Sequence, residues 1–211
     1  MKTSHSLSFS KLGCIKGGRQ LFKNVDCTLE AGNWLHVAGA NGVGKTSLLR
    51  MVCGLAPIES GHIFWNGLPI QTQSENFRHD LCYLGHLNAL QESMTVDENL
   101  AFTSALGGMT PDRLKTQEVL TQFGLRGRGK QLVRHLSQGQ KRRVALSRLV
   151  LSPAKLWVLD EPYVAMDEAG IGLLANLIAD HLSKGGMAVL TSHQRVAIGQ
   201  IPAQMLELQA Q

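Results

Sequence analysis

The sequence predicts an α/β fold with a mostly parallel sheet, a flanking antiparallel β region and an inserted helical segment. An apolar run at 34–38 leads into a glycine-rich loop and a helix-forming segment, and further apolar runs follow at 155–160 and 187–193. Continuous apolar runs are typical of parallel strands that are covered on both faces. Because strands that alternate with helices connect by right-handed crossovers, these runs predict one parallel sheet.

Residues 39–47 read Gly-Ala-Asn-Gly-Val-Gly-Lys-Thr-Ser and match the phosphate-loop pattern G-x-x-x-x-G-K-[ST]. Gly39, Gly42 and Gly44 permit positive φ values, which turn backbone N–H groups toward a phosphate. Lys45 would reach the β and γ phosphates, and Thr46 would offer its hydroxyl to Mg²⁺ at the positive end of the following helix. The sequence therefore predicts the core of a phosphate-loop (P-loop) NTPase. The predicted nucleotide-binding residues are Gly39, Ala40, Asn41, Gly42, Val43, Gly44, Lys45, Thr46 and Ser47.

The segments outside this core fall into two groups. Loosely alternating residues at 5–10 and 21–30, broken by Gly17-Gly18, and a β-rich run at 61–67 predict short antiparallel strands beside the core. From 86 to 135 the signals are helical instead. Thr95 and Glu98 form a capping-box pattern. A second helix is predicted to begin at Thr110-Pro111 and to end at Gly124.

The length of 211 residues is sufficient for one such domain with a sizeable core. We expect residues 1–211 to form a single domain. Its nucleotide-binding core with the antiparallel region would comprise 1–85 and 136–211, and its helical subdomain 86–135.

Two acidic residues, Asp160 and Glu161, stand at the end of the apolar run at 155–160, where ligands bind in open α/β sheets. Asp160 can hold Mg²⁺, while Glu161 can orient and deprotonate an attacking water. A solvated Asp-Glu-Pro turn is the alternative, and the phosphate loop upstream favours the catalytic interpretation.

Residues 136–140, Leu-Ser-Gln-Gly-Gln, form a second motif, at the start of an amphipathic helix that Ser137 would cap. Together with the phosphate loop, Asp160-Glu161-Pro162, Met166-Asp167 and Ser192-His193, in this order, the motif resembles the ATP-binding subunits of ABC transporters. The resemblance covers essentially the whole chain.

The resemblance implies a head-to-tail dimer of two copies of this chain with two ATP molecules between them. One copy would supply catalytic Glu161 and His193. The other would supply the signature residues Ser137, Gly139 and Gln140. Asp167 would lie near the subunit boundary, as the D-loop residue. The residues implied as ligands of Mg²⁺ are Thr46 and Asp160. His86 occupies a third ligand position, where the family usually has another residue.

Two positions depart from the family pattern. The family usually has an aromatic residue that stacks on adenine, whereas residues 14–19 contain none, so Lys16 or Arg19 would substitute and selectivity between ATP and GTP stays open. His86 replaces a glutamine that touches Mg²⁺ and the attacking water, and imidazole suits a hard cation less well. We expect hydrolysis to be slow or dependent on a partner.

Residues 83–90 and 95–100, with the short tail after His193, resemble the ATP-binding subunit of cytochrome c maturation systems, the haem exporter. That resemblance implies an ATPase bound peripherally to integral membrane partners at the cytoplasmic face of the inner membrane. No Cys-x-x-Cys-His motif is present, so we expect no haem on this chain itself.

Composition restricts the remaining classes. No apolar run approaches the roughly 18 residues of a membrane span, and the N-terminus lacks a secretory h-region, which predicts a cytosolic chain. The formal net charge is +5, and its densest cluster, Lys141-Arg142-Arg143, is expected to be a solvated or partner-facing helix face and not a nucleic-acid patch. Four separated cysteines predict neither a zinc site nor a disulfide framework.

Three alternatives stay open. A soluble ABC-type ATPase acting on nucleic acid or ribosomes would usually need two fused nucleotide domains or a coiled-coil insertion. A small-molecule kinase or GTPase leaves the motif at 136–140 without a role, and the Asn-Lys-x-Asp of GTPases is missing. A nucleotide-binding interaction module would bind ATP without hydrolysing it.

Overall fold

The computed structural model describes residues 5–164, 166–192 and 196–209. The strands are β1 (Ser6–Lys16), β2 (Arg19–Glu30), β3 (Trp34–Ala38), β4 (Ser60–Trp65), β5 (Leu68–Pro69), β6 (Leu81–Leu84), β7 (Leu156–Leu159), β8 (Met187–Thr191) and β9 (Gln204–Glu207). The α-helices are α1 (Lys45–Val52), α2 (Ser74–Asp80), α3 (Val96–Leu106), α4 (Arg113–Gln122), α5 (Gln138–Leu151) and α6 (Glu168–Ser183).

A five-stranded parallel sheet in the order β6-β7-β8-β3-β9 forms the centre of the fold. All residues of β7 and β8 are buried, as expected for parallel strands covered on both faces. Successive side chains point to opposite faces, so Leu156 and Val158 pack on one side and Trp157 and Leu159 on the other. The predicted parallel sheet is therefore confirmed.

The antiparallel region is a four-stranded sheet in the order β2-β1-β4-β5. Gly17 and Gly18 have φ values of 58° and 74° and connect β1 to β2, as a tight turn of type I′ requires. Asn66 and Gly67, with φ values of 53° and 78°, connect β4 to β5 in the same way. The predicted break at Gly17-Gly18 is confirmed as a turn, and the predicted β-rich run at 61–67 ends in a second turn. The sheet packs beside the phosphate-loop helix α1.

The helices after β6 follow the predicted signals with one correction. Thr95 and Glu98 make the reciprocal bonds of a capping box at the start of α3. The next helix, α4, does not begin at Thr110-Pro111. Its N-cap is Asp112, whose carboxylate accepts the N–H of Lys115 at 3.1 Å, because a carboxylate two residues further on satisfies the first helical donors.

Two elements between the antiparallel sheet and the helices carry weak sequence signals. α2 buries only Phe77, and its other side chains are largely polar. β6 has four residues, of which only Leu84 is fully buried. Short elements with little buried surface lack the periodicity that identifies longer ones.

The basic cluster on α5 does not form a solvated face. Lys141 pairs with Glu92, with 2.5 Å between Nζ and Oε1, and Arg143 pairs with Asp167 at 2.9 Å. Arg142 is 4% exposed. The expectation of a solvated face was wrong for Arg142, and Lys141 and Arg143 pair with acids of the same chain. That the cluster faces a partner stays a prediction.

Among the described helices, none combines the length and apolar character needed to cross a membrane.

Candidate nucleotide-binding site

The phosphate loop connects β3 to α1 at the carboxyl edge of the parallel sheet. Gly39, Gly42 and Gly44 have φ values of 140°, 78° and 111°, as predicted from the motif. A Cβ on Gly39 would approach the carbonyl oxygen of Leu208 to 2.6 Å, and one on Gly44 would approach the Phe22 ring to 3.0 Å. The loop therefore requires glycine at these two positions for backbone conformation and for space.

Lys45 begins α1, and its side chain turns back to the first residues of the loop. The side chain is buried, and Nζ donates to the carbonyl oxygens of Gly39 at 2.8 Å and Ala40 at 3.1 Å. An ammonium group has three N–H donors, so these bonds use two of them. The charge is thus fixed beside the positive end of α1, where an anion binds favourably.

The loop lines an open cavity of about 400 Å³. The residues lining it are Lys16, Leu21, Asn41, Gly42, Gly44, Lys45, Thr46, Ser47, Asp160 and Glu161. Most of the predicted loop residues thus meet the two acids, whereas the Val43 side chain is buried in the core. Leu21 was not predicted. It enters the cavity because the hairpin β1–β2 reaches over the loop, a contact between residues distant in sequence.

Asp160 and Glu161 follow β7, and Thr191 ends the adjacent strand β8. The Thr191 hydroxyl donates to Asp160 Oδ1 at 2.9 Å and accepts the N–H of Glu161 at 2.8 Å. Asp160 is 2% exposed, and its own N–H donates to Leu84 O at the end of β6. One threonine therefore fixes both acidic residues relative to the sheet. Its position at the end of an apolar strand was the available sequence signal for this role.

The phenol of Tyr83, on β6, is held in its neutral form. Burial raises the pKa of Tyr83 to about 12, and the negative charge of Asp160 adds to that effect.

Three residues of the motif at 136–140 line a second cavity of about 320 Å³. Its lining residues are Ser137, Gly139, Gln140, Arg143, Met166 and Asp167. Ser137 caps α5 and forms a capping box with Gln140, which confirms the predicted helix start. Asp167 caps α6 through the N–H of Gly170, and this bond together with Arg143 lowers the pKa of Asp167.

Two predicted site residues lie elsewhere. His86 is exposed just after β6 and is not among the described residues that line the 400 Å³ cavity. His193 lies outside the described residues.

The donors in the larger cavity suit a hard divalent cation. Mg²⁺ prefers oxygen ligands, and the Thr46 hydroxyl and the Asp160 carboxylate line the same cavity. Among the described residues, no group of three His, Cys, Asp or Glu side chains could hold a metal ion by itself. A hydroxyl and one carboxylate suit a magnesium ion that binds together with a nucleotide, because phosphate oxygens of the nucleotide then supply further ligands.

The parallel sheet, the phosphate loop and the two acids at the carboxyl edge define a phosphate-loop NTPase, and the Ser137 cavity distinguishes the ABC type. The sequence profile of the ABC transporter family matches residues 22–164. A structure of an ABC transporter ATP-binding protein from Pyrococcus furiosus is similar, with a TM-score of 0.83 at 25% identity over 96% of this chain and 97% of that one.

Two curated relatives are similar along almost the whole chain. The cytochrome c biogenesis ATP-binding export protein CcmA of Albidiferax ferrireducens is 76% identical over 210 residues and 100% of both chains. The protein of the same name from Dechloromonas aromatica is 50% identical over 91% of this chain and 94% of the relative. This chain belongs to the ABC transporter family and, within it, to the cytochrome c biogenesis ATP-binding export proteins.

Proposed function

We propose that this chain is the ATP-hydrolysing subunit of a membrane ABC complex that exports or handles haem during c-type cytochrome biogenesis. The proposal that the chain hydrolyses ATP rests on the cavity in which the phosphate loop lies beside Asp160 and Glu161. The biological process comes from the names of the full-length relatives.

The chain's own residues divide the chemistry as follows. The loop N–H groups and Lys45 bind the β and γ phosphates and stabilise the charge that develops on them. Glu161 orients a water and takes its proton while the water oxygen bonds to the γ-phosphorus and the bond to the bridging oxygen of ADP breaks. His193 would contact the γ-phosphate.

Thr46 and Asp160 would hold Mg²⁺. When bound, the cation neutralises charge on the phosphate oxygens. Thr191 keeps the Asp160 carboxylate in one orientation for this purpose, since its hydroxyl donates to Oδ1.

The site would be completed by a second copy of the chain. The phosphate-loop cavity and the cavity at Ser137 have no lining residue in common. In the head-to-tail dimer that the family resemblance implies, one nucleotide would contact the phosphate-loop cavity of one copy and the Ser137 cavity of the other. Ser137, Gly139 and Gln140 of the second copy would offer the N-terminus of α5 to the γ-phosphate.

The helical segment 86–135 would be a subdomain that contacts the membrane subunits. A cavity of about 140 Å³ lies between β6, α3 and α5. Leu87, next to β6, is 80% exposed, and Leu106, on α3, is 73% exposed. These exposed leucines are candidates for contact with such subunits, whose presence is supported by the export function in the names of the relatives. The subunit would thus bind at the cytoplasmic face of the inner membrane.

The experiment is a pull-down of tagged Glu161→Gln chain from solubilised membranes in ATP and Mg²⁺. Blocked hydrolysis should retain the ATP-bound complex with its partners. We expect integral membrane proteins and haem absorbance in the eluate, and at least a 100-fold loss of phosphate release, consistent with loss of a general base.

The matched control is Glu75→Gln, the same change at an exposed acid on α2. Normal phosphate release by Glu161→Gln would contradict the catalytic assignment. Retention of nucleic acid or soluble proteins alone would favour the soluble ABC-type ATPase and overturn the membrane role.

A further inference from the structure

We propose that Arg142 is a positioning residue of the hydrolytic centre, which fixes the backbone of Glu161 from the helix that carries the signature motif. The inference rests on the catalytic role proposed for Glu161. It concerns a side chain that the sequence placed in a basic surface cluster and that the fold buries instead.

The backbone of Glu161 adopts a conformation that an unsupported residue would avoid. Its φ is +48°, in the left-handed region, which costs a non-glycine residue roughly 1–2 kcal/mol. Such a conformation persists where surrounding contacts impose it. On one side the contact is known, because the Glu161 N–H donates to Thr191.

Arg142 supplies the contact on the other side. Its Nη2 donates to Glu161 O at 3.0 Å, and its Nε donates to Pro162 O at 3.2 Å. The planar guanidinium thus donates to two consecutive carbonyls from two of its nitrogen atoms. A lysine ammonium, which has a single nitrogen, could not bond both with the same geometry. With Thr191 on the N–H, both peptide units of Glu161 are held.

The same guanidinium also reaches the segment after β6. Nη1 donates to Gly85 O at 3.3 Å and to Asn88 Oδ1 at 3.2 Å. Gly85 immediately precedes His86, so one side chain joins the ends of β6 and β7 to α5. A displacement of α5 would therefore be felt at Glu161 and at His86 together.

The energetic cost of burying this group supports a specific role. Burial lowers the pKa of Arg142, and the charge of Asp160 partly offsets that effect. Removing a cation from water is costly unless hydrogen bonds satisfy its donors. The four acceptors provide that compensation, and three of them are backbone carbonyls at the edge of the candidate site.

The chain offers a matched control on the same helix. Arg148 also lies on α5 and donates to the same loop, at Asn88 O, 3.4 Å away. Its bond is to the loop and not to the carbonyls of Glu161 and Pro162. Arg148→Gln therefore removes a half-buried cation that contacts the same loop, and it keeps the bonds from Arg142 to Glu161 and Pro162.

The test compares Arg142→Gln, Arg142→Lys and Arg148→Gln by amide hydrogen exchange of the full chain and by ATPase kinetics of the complex purified from membranes. In Arg142→Gln we expect faster exchange in 160–164, where the N–H of Glu161 and that of Val164 are bonded. We expect kcat to fall about 10- to 100-fold, as for misplaced catalytic groups, while KM for ATP changes less than threefold. Arg142→Lys should recover part of kcat, and Arg148→Gln should change neither quantity.

Unchanged exchange in 160–164 for Arg142→Gln and Arg142→Lys would overturn the proposal, as would a loss of kcat equal to that of Arg148→Gln. If Glu161→Gln abolishes hydrolysis while the Arg142 variants behave like the control, only this inference fails. If Glu161→Gln remains active, the proposed function fails instead.

Discussion

His181 allows a quantitative prediction about stability and pH. It lies in the last turn of α6, stacked on Trp157 with ring centroids 3.9 Å apart and 7° between planes. Its Nε2 lies 3.2 Å from two carbonyl oxygens, those of Lys155 and Met187. Carbonyls only accept, so Nε2 carries a proton and the neutral ring already satisfies both contacts.

Burial lowers the pKa of His181 from 6.5 to about 4, although the two carbonyls oppose that change. The folded state therefore binds the proton less readily than the unfolded chain does. This contribution to the free energy of unfolding is complete above pH 6.5 and is lost as the pH falls toward 4. Linkage gives a loss of about 2 kcal/mol between pH 8 and pH 5, and about 3 kcal/mol in total.

The assay is urea unfolding followed by circular dichroism at several pH values, for the unchanged chain, His181→Gln and the control His62→Gln. Glutamine places an amide donor near the position of Nε2 but does not titrate, so the stability advantage of the unchanged chain should shrink by about 2 kcal/mol between pH 8 and pH 5. His62→Gln controls for the loss of a histidine at an exposed position. If the curves of the unchanged chain and of His181→Gln run parallel from pH 8 to pH 5, the assignment of a buried neutral histidine is wrong.

Three further predictions concern the nucleotide site. Gly44→Ala should lower stability by roughly 1–3 kcal/mol and weaken binding of a fluorescent ATP analogue, because φ is 111° and the new Cβ would lie 3.0 Å from Phe22; unchanged melting temperature and affinity would contradict this. His86→Gln should leave the fold intact and change the ATPase rate. A rate equal to that of the unchanged chain, both with and without membrane partners, would refute this. Lys16→Ala should weaken the binding of ATP and of GTP alike by about 0.5–1 kcal/mol, because Lys16 lines the cavity and has no donors specific for either base. Binding would be measured by calorimetry. A change of more than about tenfold in the ratio of the ATP and GTP affinities would argue against this.

Local sequence determined the elements whose signals lie within a few residues of one another. The φ values of the loop glycines, the caps at Thr95 and Ser137 and the turn at Gly17-Gly18 follow from residue types at short spacing. Apolar continuity likewise identified β3, β7 and β8. The start of α4 was misplaced because Thr110 and Asp112 are both residue types that cap helices. Local sequence does not show at which of the two the packed helix begins.

Tertiary structure alone decided the contacts between distant segments. Sequence named Asp160 and Glu161, but the fold brought Thr191 to both of them and placed Leu21 over the phosphate loop. It also buried Arg142, which the sequence placed on the surface, and bonded it to Glu161. A long charged side chain near a helix start can extend into solvent or fold back onto the chain. Arg142 folds back because backbone carbonyls lie within hydrogen-bonding distance of its guanidinium. Those carbonyls belong to residues just after β6 and β7, which only the parallel sheet brings together.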